Sequence, residues 1–190
     1  MMMAVRLVLL LALFGTVANA EPWSDTPAWP KAKTGELVWV VSPPIVTADP
    51  NAMPNRPIAL EVTLGTVTRT IKLAPDFGSM EPYNQPMCKK PDRAVAYPLE
   101  HGEIAKLTFY EGGAGGYLVS RSGDTLSVIH WSLEDGACEG KHHQQVACPR
   151  KDKRVARFHV PADVKLHEQI LEVDDKATRH PFDCEATKSR

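Results

Sequence analysis

Between Ile58 and Leu64 the chain alternates without a break: Ile58, Leu60, Val62 and Leu64 are apolar, with Ala59, Glu61 and Thr63 between them. A two-residue period sends one set of side chains to one side of an extended backbone, so this segment predicts a strand with one buried face. The same period recurs in short runs along the chain, and 16 prolines and 12 glycines cut it before any helical period can establish itself after residue 20. That punctuation constrains the fold more than any other feature.

The strand candidates are Glu36 to Val41, Ile58 to Leu64, Val67 to Leu73, Ile104 to Tyr110, Tyr117 to Ser120, Thr125 to Leu133, Arg154 to Val160 and Leu166 to Val173. Thr125 to Leu133 carries apolar residues at both parities, as a strand covered on both sides would. About eight short strands separated by Gly, Pro and Asp turns predict an all-β domain, a mainly antiparallel sandwich or barrel with long Pro/Gly-rich loops and disulfides. Ala74 to Pro98 is the longest irregular stretch, and Gly112 to Gly116 reads as a glycine turn.

The N-terminus has a different character. Arg6 is followed by an apolar run from Leu7 to Phe14, and Ala18 and Ala20 supply small side chains in the positions a signal peptidase requires. The run is too short for a membrane span, which takes roughly 20 residues, so residues 1–20 are expected to be a signal peptide cleaved after Ala20. Residues 21–35 form a Pro/Trp-rich extended arm whose indoles, Trp23 and Trp29, are expected to dock on the domain, and residues 36–190 form a single β-rich domain. The expected localisation is exported, periplasmic or secreted, with no membrane insertion after cleavage. Loss of residues 1–20 removes Arg6 and no acid, moving the formal charge from −1 to −2. A chain with no basic excess gives no reason to expect nucleic acid as a partner.

All four cysteines lie beyond residue 20, and an even number in an exported chain predicts disulfides. Of the three connectivities, Cys138 with Cys148 would staple a short loop, which leaves Cys88 with Cys184 to tie the C-terminal tail back.

The stapled loop contains His142 and His143, and two cysteinates with two imidazoles are a zinc-like ligand set. Adjacent imidazoles diverge, however, and in an oxidising compartment the sulfurs pair with each other. No metal and no cofactor is therefore expected. Met80, Met87 and Cys88 offer soft ligands without a repeated spacing. No Gly-x-Ser-x-Gly elbow occurs; Ser120, Ser122, Asp124 and His130 are close in sequence, but a strand and a tight turn point such side chains apart. Glu134 and Asp135 beside Gly136 read as a solvated turn.

Gly113, Ala114, Gly115, Gly116 and Tyr117 resemble, over those five residues, the loop that periplasmic lysozyme inhibitors present to the catalytic cleft of their target. That resemblance implies a β-rich exported inhibitor with Tyr117 at its contact surface; the serine of the family's loop has no counterpart here. The same residues also suit a hairpin connection that needs positive φ angles.

The reading that follows is an exported, non-catalytic binding domain acting on a protein or cell-envelope component, an inhibitor or immunity-type protein among the options. Its expected binding residues are Tyr117, Tyr83, His142 and His143, carried on loops of a rigid scaffold. The alternative is a periplasmic metal-handling protein or small hydrolase using the histidine-bearing loop 138–148.

Overall fold

The computed structural model describes residues 22–24, 26–45, 56–76, 82–83, 99–110, 113–134, 137–139 and 144–181. Residues 1–20, expected to be a signal peptide, and His142, His143, Cys88 and Cys184 lie outside the described residues. Among the described residues every regular element is a strand: β1 Thr34–Val41, β2 Arg56–Leu64, β3 Val67–Asp76, β4 Pro82–Tyr83, β5 Glu103–Tyr110, β6 Gly113–Ser122, β7 Thr125–Glu134, β8 Ala137–Glu139, β9 Gln145–Ala147, β10 Lys151–His159, β11 Lys165–Val173 and β12 Arg179–Pro181. Eight of these are long and match the segments read from alternation. The other four, β4, β8, β9 and β12, hold two or three residues each, too few to leave a period in the sequence.

The strands form two five-stranded sheets, ordered β12-β11-β1-β2-β3 and β10-β7-β6-β5-β4, with β8-β9 as a separate two-stranded ribbon. Neighbours are antiparallel with one exception, since β1 and β11 run parallel from Thr34↔Lys165 to Val41↔Glu172. Local alternation cannot announce that pairing, because it joins segments at opposite ends of the chain.

The sheets pack face to face on a single core. Leu37, Trp39, Val41, Leu60, Val62 and Ile170 from the first sheet meet Leu107, Phe109, Tyr117, Val119, Val128 and Phe158 from the second, all fully or almost fully buried. Removing one such side chain to Ala costs about 2–5 kcal/mol. Polar bonds tie the layers where they meet. The Tyr117 hydroxyl donates to the Ala74 carbonyl at 2.9 Å, linking β6 to β3. One oxygen of Glu168 on β11 accepts from the Trp39 indole at 2.8 Å and from the Lys106 backbone N–H of β5 at 2.7 Å.

The arm docks through its indoles, as its composition suggests. Trp23 belongs to the core and lies 4.6 Å, ring to ring, from Phe158, while the Trp29 indole donates to the His159 carbonyl at 2.7 Å. The Arg69 guanidinium stacks 3.8 Å above the Trp29 ring and donates to the Pro27 carbonyl.

Gly113 to Gly116 is not a turn but the first half of β6, paired with β5 from Tyr110↔Ala114 to Thr108↔Gly116. Its glycines serve close approach: a Cβ on Gly116 would lie 1.9 Å from the Leu107 carbonyl oxygen. With those residues in the ladder, Tyr117 falls at an inward parity and is 1% exposed.

Candidate functional site

The outer face of the second sheet carries more than a solvated sheet face needs. Leu118 of β6 and Trp131 of β7 point away from the main core yet are 1% and 0% exposed, and with Ile129 and Leu133 they form a second apolar cluster. Beside it lies a polar network. The Lys106 ammonium is buried, 2.7 Å from Glu103 Oε2 and 5.3 Å from the Trp131 ring centre. Arg150 reaches Glu103 at 2.9 Å and Glu100 at 3.0 Å, and it grips Asp152 through two parallel bonds of 2.8 and 2.9 Å. Burial alone would raise the Glu103 carboxyl. The Glu100 N–H, Lys106 and Arg150 outweigh it and hold the group below its ordinary value.

Arg150 follows the disulfide closely along the chain. β8 and β9 pair through Cys138↔Val146, and the Cys138–Cys148 bond, with Cα atoms 4.9 Å apart, closes the ribbon two residues before Arg150. The chain then enters β10, the edge strand, whose one partner among the described residues is β7.

In β10 the ladder slips. Phe158 pairs with Leu126, Arg157 with Ser127 and Ala156 with Val128, but Ile129 is met by Arg154, so Val155 is bulged out of register. Without the bulge, two residues three apart would face opposite ways. With it, Arg154 and Arg157 occupy consecutive outer positions, about 7 Å apart along the strand at two residue rises. Both are exposed.

The other arginines are occupied. Arg56 lies 3.9 Å from Glu172, Arg69 stacks on Trp29, Arg121 donates to the Val164 and Pro161 carbonyls at 2.7 Å each, Arg150 is in the network, and Arg179 forks onto Glu61 at 2.7 and 2.9 Å. Among the described arginines, Arg154 and Arg157 alone have neither ion pair nor side-chain hydrogen bond. Asp152 is the acid at the neighbouring outer position, but both its oxygens are taken by Arg150. Beside Arg157, the register continues through Ser127 of β7 to Ser120 of β6. Both serines are half-buried, and neither hydroxyl is engaged among the described residues. Two guanidinia, which can only donate, and two hydroxyls, which can donate or accept, form a donor-rich surface suited to an oxyanion.

Of the binding residues singled out in the sequence, His142 and His143 lie outside the described residues, and Tyr117 is not on this face. Tyr117 is enclosed between the sheets, its ring edge-on to His130 at 5.3 Å, which corrects the expectation that it sits on a loop surface. The contact loop implied by the lysozyme-inhibitor resemblance is a paired strand in this fold. The backbone of Tyr83 lies in β4, opposite Thr108. Ser120 and His130 take opposite faces of the second sheet, one paired with Ser127 and the other with Tyr117. Among the described residues no three His, Cys, Asp or Glu side chains gather as metal ligands, and no helix is long and apolar enough to cross a membrane. Comparisons with protein-family models, curated proteins and solved structures find no match to this chain.

Sequence reading missed Arg154 and Arg157 because net charge averages over the whole chain. The local signal was the run from Lys151 to Arg157, with four cations and one acid in seven residues. A strict two-residue period would still have sent the two arginines to opposite faces.

Proposed function

We propose that this protein is an exported, non-catalytic binding domain that holds an anionic partner on the outer face of its second sheet, along β10. The observation that carries the reading is the pair Arg154 and Arg157, exposed and unengaged beside an acid that Arg150 already occupies. A guanidinium is the side chain best suited to fork onto carboxylate or phosphate, and placing two on one rigid face pre-organises such recognition. The edge itself does not invite strand addition, because Lys151, Lys153 and the bulge at Val155 are features that natural edges use against it. Side-chain recognition across the face is therefore the mode favoured. Export rests on the signal-like residues 1–20 and agrees with the Cys138–Cys148 disulfide.

Retention on a heparin column at about 0.15 M salt, near the physiological ionic strength, tests the binding reading. A chain whose formal charge is −2 without residues 1–20 has no net attraction to a polyanion. Retention that vanishes in the Arg154→Gln/Arg157→Gln double variant supports a local anionic site. Flow-through of the unaltered protein rejects it. Export is tested separately by sequencing the N-terminus of protein recovered from the periplasm or medium, which should begin at Glu21.

A further inference from the structure

The face described above has a geometry that selects among anions, and the inference drawn from it rests on the binding reading just given. We infer that the group it takes is a tetrahedral oxyanion of the phosphate class, a phosphate monoester borne by the partner, seated between Arg154 and Arg157 with the Ser127 hydroxyl as a further donor.

The donors present are numerous and the acceptors few. Arg154 and Arg157 each carry a planar fork of N–H groups, and Ser127 and Ser120 lie in the same cross-strand row as Arg157, each strand about 4.8 Å from the next. A carboxylate offers two oxygens, which a single guanidinium fork can occupy, and that arrangement already exists nearby as Arg150 on Asp152. A phosphate monoester offers three terminal oxygens and close to two charges, so two guanidinia and a hydroxyl can serve it together. Side chains as long as arginine can converge from positions about 7 Å apart onto one such group. Two like charges on neighbouring outer positions repel each other in the free protein, and a dianion between them reverses that sign.

The surroundings favour the same outcome. Asp152 is withdrawn by Arg150, Glu103 is shared by Arg150 and Lys106, and Asp124 at the far end of β10 has its nearest basic group in His159, 3.6 Å away. Asp152 and Glu103 thus have cations of their own closer at hand than the arginine pair. On the other flank of Arg154 stands Ile129, which lies next to Leu118 and is partly buried against the Trp131 cluster, a firm apolar floor for the Arg154 stem.

Backbone amide NMR of the full mature chain, titrated with inorganic phosphate and, at matched ionic strength, with glutarate, tests this. Phosphate is expected to move the amides of Ser127, Arg154 and Arg157 saturably. Arg154→Gln and Arg157→Gln should each weaken the interaction about tenfold and Ser127→Ala about threefold, as the loss of charge-assisted and neutral hydrogen bonds implies. Lys72→Gln, an exposed cation on β3, should leave it unchanged and serves as the control for general charge. Glutarate acting on the same amides as strongly as phosphate would overturn the choice of phosphate while leaving the anionic face standing. If neither anion moved those amides and heparin failed to retain the protein, both readings would fall. Equal weakening by Lys72→Gln would reduce the effect to bulk charge and overturn the site.

Discussion

The second sheet uses one geometric device twice, near its two edges, with opposite results. In β5 the register shifts between Glu103 and Ala105, which puts Glu103 and Lys106 on the same outer face although they are three residues apart. In β10 the shift between Arg154 and Ala156 does the same for Arg154 and Arg157. The first pair has opposite charges, is buried, and closes to 2.7 Å; the second has like charges, stays exposed and makes no ion pair or side-chain hydrogen bond among the described residues. Bulges re-aim side chains, and the charges they bring together decide whether the result serves the fold or faces outward. Stability should therefore be concentrated at the β5 bulge and binding at the β10 bulge.

The largest expected effect comes from breaking the buried pair. Glu103→Gln takes the carboxylate charge away from both Lys106 and Arg150 and costs about 3–5 kcal/mol, measured by urea unfolding. A loss below about 1 kcal/mol would mean the pair is not what holds that face. Next comes the staple: Cys138→Ser with Cys148→Ser removes a short closed loop worth about 3 kcal/mol or less. Because Arg150 follows directly, the double variant should also loosen β10, seen as faster amide exchange at Arg150 and Asp152 than at β2.

Acid should act on the same region before the arginine pair. The Glu103 carboxyl is held below its ordinary value of 4.5. A depressed carboxyl contributes stability that is fully present above the unfolded-state value and is lost as pH falls through the folded one. Stability should thus be flat from neutrality to about pH 5 and decline below about pH 4, and Glu103→Gln should flatten that decline. An unchanged acid limb in the variant would assign it to other carboxylates.

The smallest changes in stability are expected at β10. Arg154→Gln and Arg157→Gln should each stay within about 0.5 kcal/mol of the unaltered protein, as exposed positions without partners do. Arg154→Glu copies the acid–base pairing of β5 onto β10 and should gain a few tenths of a kcal/mol, the value of an exposed ion pair, while abolishing retention on heparin. Retention that survived this change would break the contrast between the two bulges.

Most of the scaffold was legible in the sequence. Alternation, runs of β-branched and aromatic residues, and turn residues between them located the eight long strands, and the docking of Trp23 and Trp29 followed from a proline-rich segment carrying two indoles. Cys138 and Cys148 were legible by proximity. The parallel partnership of β1 with β11 was not, since no local pattern records which distant strand lies alongside. Gly113 to Gly116 misled because glycine in a turn and glycine under close backbone contact look alike as letters; Gly116 has a positive φ, but in a paired strand, where the Leu107 carbonyl excludes a side chain. Tyr117 moved from surface to core for the same reason.

By itself the sequence determined the class of fold, since periodicity and punctuation are local and a two-residue period admits few ways to bury one face. The tertiary structure alone decided which charges share a surface. Facing depends on register, a single bulged residue inverts it, and whether two cations meet an acid or stand open to solvent depends on strands that lie far apart along the chain.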